Sequence, residues 1–327
     1  MNERGLKVLE QYDLKITGTR RGRGSFICET DRGLKLITEF QGSENRLRFQ
    51  NRVFDCLKEQ GCTLVDRTVE NAEGGLITKD RDGTAYIVKD WFDGRECDTK
   101  NQEEILSAVR NLAKLHKMLR MPHNDGGELY TGERLEEEYA GRNREIKKPC
   151  HFMRTRRRKN EFESCFLGCF SMFFEQAQEA QRSLADSSYG NMYETAVSEG
   201  LLCHGDYNQH QILHTRKGTA TTNFIKCRYD VQAGDLYQFM RKILEKQNWS
   251  PALGLAMVEE YDRILGVDRA VREYLRIRLA YPEKFWKLAN HYYNHNKAWI
   301  PGKHVEKLNM LISQQQKRDA FLKILDL

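Results

Sequence analysis

The 327-residue sequence has five prolines, no run approaching the ~20 apolar residues of a membrane span, and no CxxC pair among its nine cysteines. Each shortage removes a class of protein. With so little proline, and with 39% hydrophobic and 31% charged residues, extended low-complexity architecture is excluded and an ordered, helix-rich chain is expected. The opening segment MNERGLKVLEQYDLKI lacks the apolar stretch of a secretory leader. Synthesis in the cytoplasm without secretion is the expectation. An odd number of cysteines without paired spacing suits reduced, mostly buried thiols better than a disulfide framework or a zinc site. Cys165 and Cys169 share a helical face, but they stand among Phe162, Phe166, Phe170 and Phe173, which favours packing over metal binding.

The charge that is present is local. Between Arg142 and Lys159 there are nine basic residues and one acidic residue, so the net +6 of the chain is one patch on a near-neutral remainder. Arg154, Arg156, Arg157, Arg158 and Lys159 are expected to expose a positive surface at a cleft or its rim, suited to an acidic partner or polyanion. The run has no interleaved stacking aromatics, so specific nucleic-acid binding is disfavoured.

Residues 14–40 alternate apolar and polar positions, with turn signals at Gly22, Gly24 and Asp31-Arg32-Gly33, and predict a three-stranded meander. Gly18, Gly22 and Gly24 form a loose glycine-rich loop, with Arg20, Arg21 and Arg23 as anion contacts, or else a solvated hairpin tip. A helix follows over 44–60, stopped by Gly61, and short strands follow in TLVDRTV, GGLITKD and TAYIVKDWF. Asn101 and Glu104 open a helix that runs to Leu119; His116 on its apolar face is given no catalytic role. A charged helix is expected from about Glu133 and a long amphipathic one over 162–184, with everything from Asp235 onward helical. Arg216-Lys217-Gly218 marks a hairpin turn, and Thr221 to Ile225 is the expected returning strand.

The densest chemistry lies in LLCHGDYNQHQIL, 201–213, read as a strand, a tight loop and a return strand. A glycine permits the turn, and the aspartate behind it can accept a proton from a substrate hydroxyl. Asp206 is the candidate base. HGD followed five residues later by an amide resembles the catalytic loop of aminoglycoside phosphotransferases and choline kinases. WFDGREC (91–97), REIKKPCHFMRTRRRKNEFES (144–164), CHGDYNQHQIL (203–213), DLYQFMRKILEK (235–246) and YPEKFWKLANHYYNHNKAWIP (281–301) occur in the order and at the separations found in endospore coat proteins of the CotS type. The chain resembles that branch of the aminoglycoside phosphotransferase-like superfamily.

The resemblance implies an α+β, bilobal, protein-kinase-like fold: a small, mostly antiparallel five-stranded N-lobe over 1–90, a hinge at 91–94 and a larger helical C-lobe over 95–327. It also implies four cleft groups, of which one is kept. Thr38 stands where relatives carry the strand lysine, Lys35 facing the other side of the sheet. Gln211 replaces the metal-binding asparagine, and Asn223 replaces the metal-binding aspartate, with Asp230 the only nearby substitute. Magnesium is held by one or two carboxylates plus phosphate, so a neutral amide at 223 removes most of the protein's share. The implied function is a non-catalytic structural or binding component of the spore coat, made in the mother cell, partnered by other coat proteins and using no cofactor or metal. The alternative is an ATP- and magnesium-dependent phosphotransferase acting on a small hydroxyl- or amine-bearing substrate.

Overall fold

The structure, a computed structural model, describes residues 3–22, 24–122, 129–295 and 302–325. Two compact units emerge, each assembled from two stretches of chain: Met1–Tyr130 with Glu199–Tyr229, and Thr131–Ser198 with Asp230–Leu327. The expected hinge begins where the N-terminal sheet ends, at Asp90, whereas the compact units divide after Tyr130. Arg23, on the glycine-rich hairpin, and 296–301, in the aromatic stretch, lie outside the described residues.

In the first unit, β1 (Ile16–Gly22), β2 (Ser25–Thr30) and β3 (Gly33–Glu39) form the predicted meander. After α1 (Glu44–Glu59) come β4 (Thr68–Val69), β5 (Thr78–Lys79) and β6 (Ala85–Asp90). These six strands make one antiparallel sheet of order β1-β2-β3-β6-β4, with β5 also on β6, matching the six segments read from the residues and one more than the resemblance implies. Alternation along the strands gives the sheet two distinct faces. Phe26, Cys28, Ile37, Tyr86 and Val88 pack against Val8 and Leu9 of the N-terminal 3-10 helix and Tyr12 just after it, and Ile87 packs with Leu47 of α1 and Leu76. Ser43 caps α1 by accepting from the Arg46 N–H.

The chain then forms β7 (Gly94–Glu96) and α2 (Gln102–Met118). After residue 198 it returns to this unit as β8 (Leu202–Cys203), β9 (Ile212–Thr215), β10 (Gly218–Thr221) and β11 (Arg228–Tyr229). The expected return strand is real, but β8 and β9 do not pair: β8 joins β11, while β9 lies between β10 and β7. The returning strand is β10, over 218–221; residues 224–226 form a 3-10 turn instead of extending it. The left-handed backbone of Asn223 (φ 65°) ends extended pairing there.

The second unit is helical. It contains α3 (Leu135–Glu145), α4 (Lys147–Thr155), α5 (Glu161–Ala185), α6 (Tyr189–Ser198), α7 (Ala233–Lys246), α8 (Pro251–Leu265), α9 (Arg269–Ala280), α10 (Glu283–Asn294), α11 (Gly302–Ser313) and α12 (Gln315–Leu325). The expected charged helix is split at Ile146, and Pro149 sits in the first turn of α4, where its missing N–H costs nothing. The phenylalanine ladder of α5 is the core: Phe166 and Phe173 stack on Phe285 at centroid distances of 4.6 and 4.5 Å. Cys169 is buried in that core, as the sequence pattern implied. Among the described residues, no helix is long and apolar enough to cross a membrane.

Candidate functional site

The loop after β8 is held open by Gly205, whose φ is +82° and where a Cβ would lie 2.2 Å from the Lys226 carbonyl oxygen. No other residue fits. His204, fully buried, turns its Nε2 to the Thr222 carbonyl oxygen at 2.9 Å, so that nitrogen carries the proton and Nδ1 accepts from the Asp206 N–H at 3.1 Å. The histidine thereby staples the Asp206 loop to the segment after β10. Below it, Tyr207 donates to the Ala108 carbonyl in α2 at 2.8 Å, and Asn111 of α2 bonds both Tyr207 Oη and Thr221 Oγ1.

Three of the four sequence-predicted positions are joined here. Asp206 is partly exposed, with Lys226 Nζ 3.5 Å from one carboxylate oxygen and Asn208 Nδ2 3.3 Å from the other. Gln211 is tied to Thr222 twice: its carbonyl accepts from the Thr222 N–H at 2.9 Å and its amide oxygen accepts from the Thr222 hydroxyl at 3.2 Å. Asn223, next along, donates its N–H to Asp66 Oδ2 at 2.8 Å. Thr38 stands in β3 of the N-terminal sheet, opposite Ile87. Lys35 is on the opposite face, as the alternation predicted, and bonds Asp90 Oδ1 at 2.7 Å.

Two residues that matter were not singled out from sequence. Lys89 faces the same side of the sheet as Thr38, paired with Leu36 and therefore diagonal to Thr38. Its Nζ lies 3.0 Å from Asp66 Oδ2, and both side chains are almost wholly buried. An ammonium and a carboxylate thus lie beside two of the sequence-predicted positions, the lysine diagonal to Thr38 and the aspartate against the Asn223 backbone. They neutralise one another. Alternation held the clue for Lys89, two residues from Ile87 on an apolar face; Asp66 carried no such mark.

The three joined positions do not by themselves make a magnesium site. Asn223 offers a neutral amide, the Gln211 amide oxygen is engaged by Thr222, and Asp206 is the one carboxylate of the three and already has Lys226 beside it. Arg46 of α1 also fixes the 225–227 backbone, donating to the Ile225 carbonyl at 2.7 Å and to the Cys227 carbonyl.

The basic run was expected to be one open surface. Arg154, Arg157, Arg158 and Lys159 are exposed, but Arg156 is not a free cation: it reaches the fully buried Glu163 at 3.0 Å, whose carboxylate also accepts from Tyr292 Oη. Burying Glu163 unpaired would cost several kcal/mol, roughly, so Arg156 is a structural counter-ion.

The six-stranded sheet with one helix, followed by a histidine-glycine-aspartate loop and a helical second unit, defines an aminoglycoside phosphotransferase-like member of the kinase fold. A solved aminoglycoside phosphotransferase from Alicyclobacillus acidocaldarius superposes with a TM-score of 0.85 at 20% identity, covering 98% of this chain and 94% of that one. A spectinomycin phosphotransferase solved with ADP and spectinomycin gives 0.62 at 11% identity, covering 97% of each chain. Residues 6–325 match the family described as "Spore coat putative kinase YutH", and the chain belongs to that family. It is also 22% identical to spore coat protein S of Bacillus subtilis strain 168 over 97% of this chain and 92% of that protein.

Proposed function

We propose that the chain serves the bacterial spore coat as a non-catalytic component, keeping the kinase fold as a scaffold for binding or structure. The observation that carries this reading is the Lys89–Asp66 pair: the ammonium diagonal to Thr38 and the carboxylate that accepts the Asn223 N–H are buried against each other. Phosphoryl transfer depends on positioning and charge stabilisation, so Asp206 without those charges has nothing to act upon. On this reading neither ATP nor magnesium is a cofactor. A titration with magnesium-ATP is expected to show weak binding with little metal dependence; tight, magnesium-dependent binding would overturn it.

A second reading is supported by the retained geometry of the base. His204 and Gly205 hold the backbone of Asp206 in a tight turn, which supports an ATP-dependent phosphotransferase acting on a small hydroxyl- or amine-bearing substrate. ATP consumption with coat extract, compared between the natural protein and Asp206→Asn, separates the two. Turnover that vanishes in the variant establishes the enzyme.

The family and the B. subtilis relative support a place in the coat, reached after synthesis in the mother-cell cytoplasm. For its partners, other coat proteins or a polyanionic surface, the exposed cations are Arg154, Arg157, Arg158 and Lys159. Binding through them weakens steeply between low and physiological ionic strength. Affinity unchanged by salt, or by glutamine at all four, would leave the patch as solvated surface.

A further inference from the structure

The end of β7, the first turn of α2 and the distant strand β9 bring three groups together. Cys97 Sγ, a Glu104 carboxylate oxygen and a His214 ring nitrogen all lie within 4.8 Å of one another. The ladder explains the meeting. His214 pairs with Arg95, and the Cys97 N–H continues the ladder to the Ile212 carbonyl at 3.1 Å, so Cys97 and His214 sit diagonally on one face. Asn101 caps α2 by accepting from the Glu104 N–H, which fixes that residue over the same face.

Each group is prepared for a ligand. His214 Nε2 is buried with no hydrogen-bond partner, its nearest acidic oxygen being Glu104 Oε2 at 3.5 Å. Cys97 is buried, 4% exposed, and its thiol donates to the Glu104 backbone carbonyl at 3.7 Å. The Glu104 carboxylate is fixed in place by Arg95, which donates to both of its oxygens at 2.7 Å. Thiol sulfur, imidazole nitrogen and carboxylate oxygen together match a borderline-soft divalent ion and not magnesium or calcium, which take oxygen ligands.

We propose that Cys97, Glu104 and His214 bind one divalent transition metal of the zinc type. Binding exchanges the thiol proton, released to solvent, for a metal–thiolate bond. Thiolate and carboxylate then balance the dication, with the imidazole neutral. Metal–sulfur and metal–nitrogen bonds of about 2.3 and 2.0 Å place ligand atoms about 3.5 Å apart, so the group closes by about 1 Å or a little more. Arg95 and the Asp98 N–H, both now bonded to Glu104, become outer-shell donors that orient the carboxylate. Three protein ligands leave a fourth position for water or a partner's side chain. The metal would clip β7 to β9 and α2. The cysteine spacing hides such a site because its other two ligands are not cysteines.

The test titrates the full-length, metal-free protein with cobalt(II). One equivalent is expected to bind, giving a thiolate-to-cobalt charge-transfer band, releasing about one proton and yielding to zinc but not to magnesium. Cys97→Ser is expected to abolish the band and His214→Gln to weaken binding at least tenfold, while Cys62→Ser changes neither. Circular dichroism verifies that each variant is folded. A wild-type titration without a thiolate band overturns the proposal, as does a band that survives in Cys97→Ser or an affinity unchanged in His214→Gln.

Discussion

Lys89 and Asp66 form an ion pair in which Nζ and Oδ2 are 3.0 Å apart and neither side chain is more than 7% exposed. The same Asp66 oxygen accepts the Asn223 N–H, so one carboxylate ties β6 to the altered segment after β10. Lys89→Met leaves Asp66 charged and buried without its cation, and the expected cost is about 3–5 kcal/mol in urea denaturation. Adding Asp66→Leu is expected to recover part of that loss, because a buried pair replaced by apolar groups is close to neutral. A Lys89→Met variant as stable as the natural protein would show that the pair contributes nothing.

Gly205 offers a sharper backbone test. Gly205→Ala forces a Cβ both into the left-handed region and against the Lys226 carbonyl, a combination expected to cost more than about 2 kcal/mol. Gly24→Ala, also at positive φ but with no atom within 4 Å of its Cβ, is expected to cost only the φ penalty of about 1 kcal/mol. Thermal melts of the two variants, compared side by side, separate conformational strain from collision.

Restoring the altered charges probes the proposed scaffold role. Thr38→Lys, Gln211→Asn and Asn223→Asp together add an ammonium and a carboxylate, and Asp is tolerated at the φ of Asn223. Magnesium-dependent ATP binding by calorimetry is expected to rise at least tenfold over the natural protein. An unchanged titration would mean that features other than these three residues set the affinity.

Acid stability follows from Glu104. Its hydrogen bonds from Arg95 lower the folded-state pKa from 4.5 to about 2, so the stabilisation is complete above the unfolded value and fades as pH falls from about 4.5 towards about 2. In Glu104→Gln, denaturation curves over that window are expected to show a shallower loss with falling pH. Measurement with a chelator present keeps metal binding out of the comparison.

Much of this fold was legible in the sequence. The phenylalanines of α5 repeat at helical spacing, and the meander of residues 16–39 alternates cleanly, because each reports a local period against a single buried face. The return from β9 was placed too late, since only the conformation of Asn223 reveals where pairing stops. At the site, His204, Gly205 and Asp206 announced themselves through a motif. Asp66 did not: its role comes from contacts with Lys89 and Asn223, neighbours that only tertiary folding supplies. Arg156 misled for the same reason, its charge being spent on a glutamate buried at the start of the next helix.

Each compact unit is built from two separated stretches of chain, and the first is interrupted by residues 131–198. This dictates an order of events on the ribosome. The N-terminal sheet and α2 can form early, but β8 to β11, with His204 and Asn223, emerge only after four helices of the other unit have been made. Until then the sheet waits without Ile225, which packs on Leu47 and Ile87, and the cost of closing so long a loop falls on a partly built unit. The nascent chain therefore carries an unfinished apolar face for the time needed to synthesise those helices, and that interval is when chaperones have most to protect.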